Sequence, residues 1–259
     1  MAIIGSQDVD ASEWLDEAER VELPTGDKTV PATLGRLNGH ELIVLPRNHS
    51  GRPLAPHAID YRGNMEALVR AGVRKVLTTA MVASLRLAIP KDTMLLVDQF
   101  IEFTKDRQFT YFDDDNFGFA DMTEPYCPVL REQLGRAAAN VDIDIVPNAC
   151  YVGVAGPRLE TRAEIRMFAL LGADIIGHTG TTDAVMAREA GLCFASVAGV
   201  ITLGAGLIDQ EMLVDNWHDS RRGHAARFRQ IVTELTRTLE PDDDTRTGCR
   251  CAISAPIEK

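Results

Sequence analysis

Gly153-Val-Ala-Gly-Pro-Arg-Leu-Glu-Thr-Arg-Ala-Glu164 and, further on, Gly177-His-Thr-Gly-Thr-Thr-Asp-Ala-Val-Met-Ala-Arg-Glu189 are two loop segments, each running into a stretch of helical period. The period predicts helices from Thr161 to Leu171 and from Thr182 to Ala190. Outward from them, short β-branched runs alternate with longer helical segments, the pattern of strands covered by helices. Strands are expected at Glu41–Leu45, Lys75–Thr79, Met94–Val97, Ile143–Val146 and Phe194–Ile201. Further helices are expected from Asn64 to Ala71, from Val129 to Asn140 and from about Val214 to Leu239, with Gly72 and Gly172 as C-terminal punctuation. The fold class is α/β, and one domain is the simpler reading of 259 residues.

A hydrophobic fraction of 45% is ample for a substantial core, and a net charge of −11 disfavours nonspecific binding to nucleic acid or an anionic membrane. A local basic pocket for a small anion remains compatible with that charge. Five cysteines without framework spacing argue against a disulfide scaffold and for a reducing compartment. Cys127, Cys150 and Cys193 read as buried or idle thiols. Cys249 and Cys251 lie in a polar tail without a paired His or a second Cys-x-x-Cys, so no zinc site is expected. No segment has the long apolar run of a membrane span or a secretory signal, and the expectation is a soluble, cytoplasmic protein.

Other pieces stand in a telling order: Ile3-Ile-Gly5, Leu45-Pro-Arg-Asn48, Pro56-His-Ala-Ile-Asp-Tyr-Arg-Gly-Asn64, Ala83-Ser-Leu-Arg86, Asp98-Gln-Phe-Ile-Glu-Phe-Thr104, Glu124-Pro-Tyr-Cys-Pro128 and Gly172-Ala-Asp174. Together with the two loops they resemble the purine nucleoside phosphorylase superfamily, and within it the 5'-methylthioadenosine and methylthioinosine phosphorylases. The resemblance runs from Ile3 to about Leu239. It implies a single-domain nucleoside phosphorylase fold over residues 1–240, a central mixed β-sheet flanked by helices, followed at 241–259 by a polar, disordered tail. The implied reaction is phosphorolysis of a purine nucleoside of 5'-deoxy or 5'-methylthio type, giving free base and a ribose 1-phosphate derivative. Phosphate is then a co-substrate, no metal or organic cofactor is needed, and the assembly is a homotrimer with sites at subunit boundaries.

Such chemistry needs an anion cradle, a ribose clamp and groups that stabilise the departing base. For the cradle the resemblance implies Ser6 (or Gln7) after the first strand, Arg47, Asn48 where relatives carry His, and Thr179. A guanidinium fork suits an oxyanion, and a strand running into a small hydroxyl-bearing turn offers N–H and O–H donors. Ala80, followed by Met81, stands where relatives carry a further hydroxyl donor. The ribose clamp, Gly-Met-Thr in the family, is Gly177-His178-Thr179 here, which puts an imidazole against the sugar. At Thr181-Thr-Asp183 the family commonly has Pro-Glu, and Asp183 reads as a carboxylate at a helix start.

On the base side, Thr202 falls at or next to the position of the family's base-contacting Asp or Asn, and Gly204 where a second Asp would be. Glu160 matches the carboxylate that accepts a hydrogen bond from N1–H of a 6-oxopurine, and Leu159 the residue packing on the base face. Val214 and Trp217 match the segment covering the sugar's 5' end, and Phe119 stands where relatives present a histidine from the neighbouring subunit. An apolar 5' lining favours a 5'-thioalkyl group, each buried CH₂ contributing about 0.8 kcal/mol. The catalytic assignment is therefore Thr202, Glu160 and His178. The altered contacts leave open a nucleoside hydrolase, a phosphorylase of a modified nucleoside, and a non-catalytic nucleoside-binding paralogue.

Overall fold

The computed structural model describes residues 1–5, 11, 14–48, 54–112, 117–208, 217–239 and 249–251. Its strands in chain order are β1 (Ala2–Gly5), β2 (Asp16–Thr25), β3 (Lys28–Leu37), β4 (His40–Pro46), β5 (Lys75–Ser84), β6 (Met94–Leu96), β7 (Gln99–Phe103), β8 (Ile145–Val146), β9 (Cys150–Val154), β10 (Ile175–Gly177) and β11 (Cys193–Leu203). The helices are α1 (Tyr61–Arg70), α2 (Pro128–Asn140), α3 (Arg162–Leu170), α4 (Gly180–Glu189) and α5 (Trp217–Thr238).

All strands join one mixed sheet, whose main path runs β2-β3-β4-β1-β5-β10-β9-β7, with β11, β6 and β8 branching from β5. β5 is the spine. Its sequence Lys75-Val-Leu-Thr-Thr-Ala-Met-Val-Ala-Ser84 is apolar on both faces, as a strand covered on both sides must be. Alternate residues sort into two layers: Ile4 and Val76 pack with Met65 and Leu68 of α1 and Ala184 and Met186 of α4. Ile3 and Leu77 pack with Leu130 and Leu134 of α2 and Phe228, Ile231 and Leu235 of α5. Cys251, from the stretch expected as a polar tail, is buried against this second layer.

The pairing of β5 changes along its length, and this opens the sheet. β1 runs parallel to β5 only as far as Ile4 opposite Thr78, whereas β10 joins antiparallel at Ala83 and Ser84. Between them the Thr79–Val82 edge is left by both neighbours, while β11 covers the other edge throughout. Arg47, just after β4, and the first turn of α4, which follows β10, meet at that opening, at the strand ends where α/β sheets place their ligands.

The five expected strands and five expected helices are all present, with α5 described from Trp217 and the expected start at Val214 outside the described residues. The β2–β3 hairpin, β7, β9 and β10 are additional. Gly72 and Gly172 both take positive φ, at 74° and 94°, where α1 and α3 end. No helix among the described residues is long and apolar enough to cross a membrane.

His224 of α5 locks this helix to β11. Its ring is buried over Gly199, where any Cβ would meet it at 2.4 Å, and Nε2 lies 3.1 Å from the Val200 carbonyl. The Val200 carbonyl also accepts from the Asp92 N–H, at 2.8 Å. Burial lowers the imidazole pKa below its ordinary 6.5, with the Arg227 charge adding to it. A depressed folded value means that the unfolded chain takes up the proton first, so stability is complete above pH 6.5 and declines as pH falls through the folded value. Urea unfolding across that window should show a loss in the wild-type protein that is reduced in His224→Gln, which retains a donor for Val200 but cannot titrate. Equal pH slopes for the two would contradict this account.

Candidate active site

Arg47 follows β4 and turns into the opening beside β5. Its N–H donates to the Gly5 carbonyl at 2.8 Å, and Asn64 of α1 donates to the Arg47 carbonyl at 3.2 Å, so its backbone is fixed from two sides. Arg47 is 3% exposed. Nε donates to Asp183 Oδ2 at 2.8 Å and Nη2 to the Thr79 carbonyl at 3.1 Å; Nη1 has no partner among the described residues. Burial pushes the Asp183 carboxyl up, and Arg47 pulls it back. Asp183 Oδ1 is buried without a hydrogen-bond partner among the described residues, as are the hydroxyls of Thr181 in α4 and of Thr78 and Thr79 in β5. Unpaired hydroxyls near a guanidinium suit an anion or ordered water, and the unpaired carboxylate oxygen suits a water or a donor group.

Asp183 lies in the first turn of α4, so the same ion pair sets this helix's N-terminus against Arg47. The close approach is made possible by the glycines of the two opening motifs: a Cβ on Gly153 would lie 2.0 Å from Thr181 Oγ1, and one on Gly177 2.3 Å from the Tyr151 hydroxyl. Tyr151 Oη accepts from the Thr179 and Gly180 N–H groups, both at 3.4 Å. Thr179 is the N-cap residue, and its hydroxyl makes no capping bond, which leaves it available to a ligand. Arg107 binds the assembly from outside, donating to the carbonyls of His178 and Ala155, each at 2.8 Å, and lying over the Tyr61 ring.

His178 and Glu160, assigned to sugar and base, meet: Nε2 and Oε1 are 3.2 Å apart, with the carboxylate side chain 8% exposed. Gly156, at φ +59°, gives the His178 ring its space, since a Cβ there would sit 2.7 Å from it. Leu159 is exposed beside them. Thr202 sits in β11 just past a register shift between Val200 and Thr202, a bulge that re-aims the strand's end, and its hydroxyl reaches only the Leu203 carbonyl, at 3.3 Å. Gly204 donates to the Ser84 carbonyl at 2.7 Å, and a Cβ on it would crowd Ile165 at 2.9 Å. Ala80 is buried and Met81 half-buried on β5, opposite Ala198 and Gly199.

The remaining expected contacts are dispersed. Asn48 directs its amide N–H to the Leu54 carbonyl at 2.9 Å, a use internal to its own loop. Trp217 opens α5 with a buried indole N–H that has no partner among the described residues. Phe119 is 81% exposed and meets Phe117 edge-on, on the rim of a wide groove with Phe109 and Met122. Ser6 and Val214 lie outside the described residues. Asp183 receives little weight from sequence, and Arg107, Tyr61 and Tyr151 none as site residues, because each acts through a partner far away in the chain.

The chain thus sets a buried guanidinium against the first turn of α4 and a histidine–carboxylate couple just before that helix. The phosphorylase superfamily profile matches residues 1–237, and the chain belongs to that family. It is 41% identical over 196 residues to the "Probable 6-oxopurine nucleoside phosphorylase" of Thermococcus kodakarensis, covering 73% of each chain. It is 40% identical over 226 residues to the "Probable S-methyl-5'-thioinosine phosphorylase" of Methanopyrus kandleri, covering 86% of each. A crystal structure of a methylthioadenosine phosphorylase from an Antarctic soil metagenomic library superposes with a TM-score of 0.90 at 28% identity, over 100% of this chain and 92% of that one.

The ion pair can be tested without substrate. Asp183→Asn leaves a buried guanidinium without counter-charge, and such losses cost about 3–5 kcal/mol. The double replacement Arg47→Met/Asp183→Leu should recover most of that in urea unfolding, because it removes both buried charges together. Additive losses would show that the two side chains are not coupled.

Proposed function

We propose that this protein cleaves the N-glycosidic bond of a purine nucleoside by phosphorolysis, acting on 5'-deoxy or 5'-methylthio nucleosides with a 6-oxopurine base. The observation that carries the reading is Arg47, held by Asp183 against the first turn of α4 with Nη1 uncommitted among the described residues. Phosphate there is bound by the guanidinium and the Thr179 hydroxyl. One phosphate oxygen attacks C1' as the C1'–N9 bond breaks, and the bonding pair leaves with the base. Positioning and preorganised charge supply most of the acceleration.

His178 holds the ribose, and Glu160 accepts the base N1–H. Because these two side chains touch, binding the sugar and reading the base are coupled. A neutral adenine has no N1–H to offer, so the carboxylate selects for hypoxanthine- or guanine-type bases. The names borne by the Thermococcus and Methanopyrus relatives support that preference. Thr202 donates a hydrogen bond to N7 but is a poor proton source, which suits a base that leaves readily as its anion. Phosphate is the co-substrate, and the reaction as written needs no metal or organic cofactor. The exposed Phe109, Phe117 and Phe119 support a homotrimer in which this surface is shared between subunits, and the free cysteines support a cytoplasmic location.

Base release from methylthioinosine, methylthioadenosine, inosine and adenosine, each with and without phosphate, tests the reading. Release is expected only with phosphate and fastest from methylthioinosine; phosphate-independent release would replace the reading with a hydrolase. Glu160→Gln should lower kcat/KM on methylthioinosine by about 1.5–3 kcal/mol, roughly 10–100-fold, as expected for a charge-assisted hydrogen bond. Methylthioadenosine turnover should change little, and equal losses on both substrates would count against Glu160 as the base reader.

A further inference from the structure

Cys127, Cys193, Cys249 and Cys251 come from three distant parts of the chain, yet their four sulfur atoms all lie within 4.8 Å of one another. Cys127 is the N-cap of α2, Cys193 begins β11, and the other two flank Arg250. Cys127, Cys193 and Cys251 are buried, and Cys249 is half-buried. From these positions we infer that the four cysteines form a tetrathiolate site for a single zinc ion, which fastens the C-terminal segment to the start of β11 and of α2.

The metric argument is direct. Four thiolates around zinc at about 2.3 Å stand about 3.8 Å apart, so sulfurs within 4.8 Å of each other need to close by no more than about 1 Å. Cys193 Sγ and Cys249 Sγ, 3.5 Å apart, are already near that edge length. A disulfide joins sulfurs in pairs, whereas one tetrahedral ion takes four, and here all four lie within 4.8 Å of one another. An all-sulfur donor set of this shape suits zinc and excludes the hard, oxygen-seeking cations.

The surroundings favour thiolates held by a cation. The Leu130 N–H donates to Cys127 Sγ at 3.5 Å from the first turn of α2, whose N-terminal dipole favours negative charge. The Cys127 and Cys193 N–H groups are fixed by the Phe194 and Arg74 carbonyls, at 2.8 and 2.9 Å. Arg188, buried near the end of α4, donates to the Arg250 and Cys251 carbonyls at 3.0 and 2.9 Å. It thereby orients the Cys249–Cys251 turn and sets a positive charge beside a centre that carries two net negative charges when filled. Binding releases four thiol protons to solvent and changes no oxidation state. Cys193 and Thr202 lie at opposite ends of β11, so the ion's role is structural.

The test uses full-length protein purified under anaerobic, reducing conditions, given excess Zn(II), freed of unbound metal and analysed by elemental mass spectrometry. One zinc per chain is expected, and cobalt(II) in its place should show the sulfur charge-transfer and d–d bands of a tetrahedral thiolate centre. Cys249→Ser, at the half-buried ligand, should weaken zinc by more than about tenfold while circular dichroism stays native, and Cys150→Ser should bind normally. Chelation should lower the melting temperature of the wild-type protein and leave that of Cys249→Ser nearly unchanged. Failure of the folded, reduced protein to take up zinc overturns the proposal, whether its cysteines are found as disulfides or as free thiols. Retention of full zinc affinity by Cys249→Ser and Cys251→Ser overturns it equally.

Discussion

The ion pair between Arg47 and Asp183 spans 136 residues of sequence at a distance of 2.8 Å, and the site takes its form from it. Neither side chain is appreciably exposed. Such a pair is a weak source of stability, because desolvating two charges offsets most of their attraction and an apolar pair of similar volume would do as well or better. What the pair does is spatial: it fixes the end of β4 against the first turn of α4. An anion entering beside it meets a guanidinium whose position and charge are already set, so little reorganisation opposes binding.

That arrangement depends on backbone proximity, which the glycines permit. Tyr151 stands between β10 and α4 with its hydroxyl against two backbone N–H groups, and only a residue without Cβ fits at 177. Gly153 does the same for Thr181, and Gly156 for the His178 ring. The two sequence stretches that resemble a nucleoside phosphorylase site are thus halves of one packing solution. The first supplies the space and the second fills it with the helix terminus and the imidazole.

Much of this was legible in the chain before any coordinates. The period-3.6 and β-branched segments that give α1 to α5, β4, β5 and β11 are long, and their spacing can be read without tertiary information. β2, by contrast, is Asp-Glu-Ala-Glu-Arg-Val-Glu-Leu-Pro-Thr, exposed over most of its length, and is a strand only because β3 pairs with it. β10 has three residues and owes its existence to β5 and β9 on either side. The same distinction runs through the site. Arg47, Thr179, His178 and Glu160 were visible because they sit in local motifs. The importance of Asp183 and Arg107 was hidden because it lies in what they touch across the fold, and the meeting of Cys249 and Cys251 with Cys127 and Cys193 was hidden for the same reason.

The base side shows how packing can restrict chemistry. Past its bulge β11 runs into Gly204, where a Cβ would press on Ile165 at 2.9 Å and on the Ser84 carbonyl at 3.1 Å, so any side chain there would be crowded. Thr202 is left as the polar group at that strand end, with a hydroxyl that is only weakly engaged at 3.3 Å. In the proposed reaction, a site lacking a strong acid at N7 draws its base discrimination from elsewhere, and the carboxylate in reach of the imidazole is Glu160. Recognition then falls on the N1 edge, where a 6-oxopurine presents a donor and adenine does not. A buried acceptor left without its donor is costly, by about 1–3 kcal/mol or more when charged, so selection by Glu160 acts through rejection of the wrong base as much as through attraction of the right one.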